Sequence, residues 1–206
     1  MEKEIKEASQ SVQILYDALK QYNVTGLYDK VVVGKYNPFL VIMPDVANGD
    51  IESPSNIYID VEEYGVDDKD GYLSGEFTLN FGFSHSHFTY GYVGGTVEQI
   101  ANDMANAVHL IQKGEVYSFR YVSGLQMAGF REMLSGYKNP QESFEVEQII
   151  QYYENTYRKE GMPKFIEDEE TLAEIEKILG KSKTKVMFYR FNEKEPTEVE
   201  LFNCED

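Results

Sequence analysis

Apolar residues recur at Ile5, Ala8, Val12, Leu15, Leu19 and Tyr22, spacings of three and four that lay one stripe along a helix from about Lys3 to Tyr22. The stripe covers about three heptads and lacks an ordered flanking charge pattern, so it reads as a face packed on a core rather than a coiled-coil seam. The period then changes. Lys30–Lys35, Phe39–Met43 and Asn56–Val61 are short β-rich runs, broken by Tyr36-Asn37-Pro38 and by a loop rich in Pro, Asp, Asn and Gly. From Glu76 to Phe83 the chain alternates, with Phe77, Leu79, Phe81 and Phe83 facing one way and Thr78, Asn80 and Gly82 the other, which predicts a half-buried strand. Beyond it Phe88, Tyr90 and Tyr92 stand at even positions. That flip of face demands a turn or bulge, and Ser84-His85-Ser86-His87 is the segment assigned to it.

Gly94-Gly95 ends this strand, and Thr96 with Gln99 forms a capping box opening a helix that carries Ile100, Met104, Val108 and Ile111 and closes at Gly114. Val116–Val122 predicts a strand with Tyr117, Phe119 and Tyr121 on one face, followed by a turn at Ser123-Gly124. Leu125–Leu134 fits helix and strand equally. Asn139, Pro140 and Glu142 start a helix that carries Val146, Ile149, Ile150, Tyr153 and Tyr157. The acids Glu167, Asp168, Glu169 and Glu170 precede Leu172, Ile175, Ile178 and Leu179, a fourth helix ended by Gly180. Lys185–Phe191 and Thr197–Leu201 form a terminal hairpin. The expected fold is therefore α+β: one domain over residues 1–206, a mainly antiparallel sheet packed by about four helices, the N-terminal helix first. An internal boundary, if the chain has one, falls near 136–140.

Composition narrows the setting. With 206 residues and 42% hydrophobic content the chain has ample material for a core. Its longest apolar runs fall short of the roughly 20 residues a membrane span needs. Met1–Glu7 is a charged opening without the basic and apolar regions of a secretory signal, and the one cysteine, Cys204, has no intrachain partner for a disulfide; both features predict a cytoplasmic protein. Nineteen basic residues against 36 acids leave a formal charge of −17. Such a charge repels phosphate backbones and anionic membranes and draws basic partners, so direct nucleic-acid binding and membrane association are disfavoured.

Candidate chemistry is sparse. His85 and His87 stand two apart, a spacing at which imidazoles on one strand can converge on a metal; His109, with a carboxylate such as Asp103, would complete a catalytic zinc-type set. The full signatures of zinc hydrolases are absent, and at a turn the two histidines need not converge. Gly91-Tyr92-Val93-Gly94-Gly95-Thr96 joins a strand to a helix but lacks the dinucleotide fingerprint and the phosphate-loop lysine, and reads as a tight turn. Cys204 lies among Asn203, Glu205 and Asp206, whose charge opposes a thiolate. No catalytic residue is assigned and no cofactor is expected.

Two features suit a docking protein instead. The paired carboxylates Glu62-Glu63 and Asp67-Asp68 supply acidic surface, and Tyr90, Tyr92, Tyr117 and Tyr121 supply aromatic rings of the kind that anchor interfaces, although such rings also fill cores. In size, acidity and α+β organisation the whole chain resembles the immunity proteins of bacterial polymorphic toxin systems. No motif is involved and no family residue is carried over. The resemblance implies stoichiometric inhibition of a basic protein, such as a nuclease or other toxin, in the cytoplasm of a toxin-producing cell. Three other readings stand beside it: mimicry of nucleic acid by ordered carboxylates, a metal-dependent enzyme using His85 and His87, and a structural domain without a ligand.

Overall fold

A computed structural model of the chain describes residues 2–66, 72–91, 95–122, 128–157 and 183–202. The fold is α+β with two antiparallel sheets. The first has six strands in sequence order: β1 (Glu2–Glu4), β2 (Lys30–Val33), β3 (Pro38–Ile42), β4 (Ile57–Val66), β5 (Leu73–Phe81) and β6 (Ser84–Tyr90). Alternation explains its two faces. Ile57, Ile59 and Val61 on β4 and Phe77, Leu79 and Phe81 on β5 are buried, while the even-numbered residues between them point away. The helices α1 (Gln10–Gln21) and α2 (Val97–Gln112) pack against each other and on the buried face, contributing Val12, Leu15 and Leu19 and Met104, Val108 and Ile111 to one core.

The second sheet has the order β10-β9-β7-β8, built from β7 (Val116–Tyr121), β8 (Ala128–Glu132), β9 (Lys183–Tyr189) and β10 (Thr197–Phe202). Its strands alternate between two cores. Tyr189 and Phe130 join the first core, whereas Tyr117, Phe119, Tyr121, Val186 and Phe188 meet Phe144 of helix α3 (Pro140–Tyr157) in a second, aromatic one. The β9–β10 hairpin forms from the two runs expected to make it, and the undecided 125–134 segment contains strand β8.

Several expectations change. The N-terminal helix does not come first: Glu2–Glu4 is a strand, a single 3-10 turn follows at Ile5–Glu7, and Ser9 is extended before α1. By pairing with β2 these residues gain backbone hydrogen bonds that a first helical turn leaves unmade, and Glu2 gains Lys30 Nζ at 3.5 Å and the Tyr28 hydroxyl at 3.0 Å. Nor does Ser84–His87 form the turn. Phe81 pairs with Ser84, so the reversal consists of Gly82 and Phe83, with positive φ at Gly82 alone, the pattern of a type II′ hairpin. Phe83 leaves the strand face and His85 and His87 join β6. Three α-helices, not about four, occur among the described residues; the helix predicted after Glu167–Glu170, with Gly180, lies outside them, as do Ser123-Gly124 and Cys204. No helix among the described residues is long and apolar enough to cross a membrane.

Candidate functional site

Because α1 and α2 both occupy one side of the six-stranded sheet, the other side presents outward the even-numbered side chains of β4 and β5 and the odd-numbered ones of β6. Strand register sets them in rows across β4, β5 and β6: Tyr58–Asn80–His85, Asp60–Thr78–His87, and Glu62–Glu76–Thr89. Glu2 and Glu4 lie toward the far edge on β1, opposite Val32 and Lys30. The loop before β4 folds back over one end, where the Tyr58 hydroxyl donates to the carbonyls of Ser53 at 2.8 Å and Ile51 at 3.1 Å.

Two polar clusters organise the rows. Asn80 Nδ2 donates to Asp60 Oδ2 at 2.8 Å; burial raises the Asp60 carboxyl above its ordinary range and this hydrogen bond opposes the rise. In the second cluster His87 Nδ1 lies 2.6 Å from Glu76 Oε1, and the hydroxyls of Thr78 and Thr89 donate to the same carboxylate at 3.2 and 3.3 Å. Burial alone would raise Glu76, but the His87 and threonine hydrogen bonds outweigh it and hold the carboxyl below its usual value. Glu76 thus stays ionised directly opposite Glu62, an arrangement of like charges that costs free energy unless something neutralises it.

The predicted site residues separate. Tyr90, Tyr117 and Tyr121 are 1%, 0% and 7% exposed, so their rings fill the cores and are withdrawn from any docking face. The reason is parity: each lies on the buried side of its strand. Tyr92, Asp67 and Asp68 lie outside the described residues. Glu62 is exposed on the open face, whereas Glu63 turns to the helix side and its Oε1 accepts from the Ser11 backbone N–H at 3.2 Å, capping α1. His85 and His87 come together, with ring centroids 5.0 Å apart. His109 does not join them; it sits on α2, across the sheet, edge-on to Tyr22. Among the described residues no group of three or more His, Cys, Asp or Glu side chains is arranged to hold a metal.

Asp60, Glu76, Asn80 and the exposed rings of Tyr36, Tyr64 and Tyr72 were not singled out by the sequence. The even-position alternation of β4 and β5 carried the signal for the first three, but only the register between strands shows that they share a face with His87. Two shallow grooves mark that face: one of about 360 Å³ is lined by Tyr36, Phe39, Asp60 and Thr78, and one of about 300 Å³ by Tyr58, Asn80 and His85. A larger cavity of about 620 Å³ opens elsewhere, below the C-terminus of α2; it mixes Lys113, Lys138 and Arg190 with Glu115 and Glu132 and so favours neither charge. Comparison of the chain with models of known protein families, with curated proteins and with solved structures found no match.

Proposed function

We propose that the chain is a cytoplasmic binding protein that neutralises a basic protein partner stoichiometrically, an inhibitor of the immunity or antitoxin type, and that it docks through the open face of the six-stranded sheet. One observation carries this reading: both helices packed on that sheet lie on its other side, leaving Glu4, Asp60, Glu62 and Glu76 on one surface of a chain whose formal charge is −17. Like charges held opposite one another on a preformed sheet are relieved by an incoming cation, which turns a folding cost into binding free energy. Exposed Tyr64 and Tyr72, at the end of the β4–β5 pair, supply aromatic anchors beside the carboxylates.

The test is capture from the native cell with tagged full-length chain, followed by mass spectrometry and by titration of the purified partner. A basic protein bound one to one, weakened by added salt and by Glu62→Lys combined with Glu4→Lys, supports the reading. A partner of acidic or neutral charge, or a basic one whose affinity ignores both substitutions, refutes it.

A further inference from the structure

Independently of any docking partner, the geometry points to a divalent transition-metal site on the open sheet face, with His85 and His87 as the two protein ligands and Glu76 as the residue that orients His87. The strand supplies the first condition. Residues two apart on β6 project from the same face, and both imidazoles are exposed to solvent. The second condition is distance. Two imidazoles bound to one tetrahedral ion through metal–nitrogen bonds of about 2.0–2.1 Å have ring centroids about 5 Å apart. His85 and His87 stand at 5.0 Å, the separation such a pair requires.

The third condition is the tautomer. His87 Nδ1 lies 2.6 Å from Glu76 Oε1, and since an ionised carboxylate only accepts, Nδ1 carries the proton and Nε2 is left as the bare lone pair a metal requires. Carboxylate, histidine and metal in this sequence is how proteins fix the orientation of a ligating imidazole. Glu76 is itself held by Thr78 and Thr89, and only 18% of its side chain is exposed against 53% for His87, so the orienting group is the more rigid of the two. Imidazole ligands select zinc, copper or nickel over calcium or magnesium, and water completes the shell because two protein ligands leave positions open.

The experiment uses the full chain after dialysis against chelator, titrated with Zn²⁺ by calorimetry in the presence of excess Mg²⁺ and checked by native mass spectrometry. One Zn²⁺ per chain is expected, lost in both His85→Asn and His87→Asn while circular dichroism remains native, because both side chains lie at the surface. Glu76→Gln should weaken Zn²⁺ about 10–100-fold. It should also redistribute the His87 tautomers seen by ¹⁵N NMR in the metal-free chain, a change that loss of packing alone does not produce. Absence of saturable Zn²⁺ binding, or binding that survives the double substitution, overturns the site; full affinity in Glu76→Gln overturns the positioning role.

Discussion

Tyr90 shows what one buried side chain decides. Its hydroxyl donates to Ser11 Oγ at 2.9 Å and reaches the Glu62 carbonyl at 3.3 Å, tying β6 to α1 and β4. The approach depends on Gly75, where a Cβ would run into both the Tyr90 hydroxyl and the Glu62 carbonyl. Burial, the leading cause, pushes the phenols of Tyr90 and Tyr117 up to about 12 from the ordinary 10.0. Unfolded phenols ionise near 10, so between pH 10 and 12 the folded state holds protons the unfolded state has lost, and stability falls as pH rises through that window. Thermal unfolding followed by circular dichroism should therefore show a midpoint that drops across this range, less steeply in Tyr90→Phe. The same variant should lose about 1 kcal/mol at neutral pH with its two hydrogen bonds. Equal alkaline slopes in the two proteins would contradict the assignment.

At the scale of elements, the two helices of the first core are started differently. The Thr96–Gln99 capping box of α2 is local and was legible in the chain: Gln99 N–H donates to Thr96 Oγ1 and Thr96 N–H to Gln99 Oε1. The start of α1 was not legible. Ser9 makes no side-chain capping bond, and the carboxylate that accepts from Ser11 comes from Glu63, 52 residues away. Glu63 sits beside Glu62 in sequence and looked equivalent to it, yet the pleat sends one to a helix terminus and the other to solvent. Urea unfolding should accordingly cost Glu63→Ala about 1 kcal/mol, whereas Glu62→Ala stays within about 0.5 kcal/mol of the parent. A matched pair of losses would dissolve the distinction.

For the whole molecule, the decisive junction lies where β6 of the first sheet meets β7 and β8 of the second. Ser118 is fully buried; its Oγ accepts from the Phe83 N–H at 2.9 Å and donates to Ser84 Oγ at 3.1 Å, and Ser84 Oγ donates to the Gly129 carbonyl at 2.7 Å. Ser118→Ala strands the Phe83 N–H and should cost about 1–3 kcal/mol by denaturant unfolding, a loss that a serine on a solvated turn would not produce. By itself the sequence determined the stripes of α1 and α2, the start of α3 at Asn139-Pro140, the alternation of β5 and the β9–β10 hairpin. Each of these is written in contacts between near neighbours at a period of 3.6 or 2. Only the tertiary structure decided that two sheets form, that Gly82-Phe83 rather than Ser84–His87 makes the turn, and that Tyr90, Tyr117 and Tyr121 are core. It alone set Asp60, Glu62, Glu76, His85 and His87 on one open face. Those outcomes depend on strand register and on which face the helices cover, and both are fixed by pairings between residues far apart in the chain.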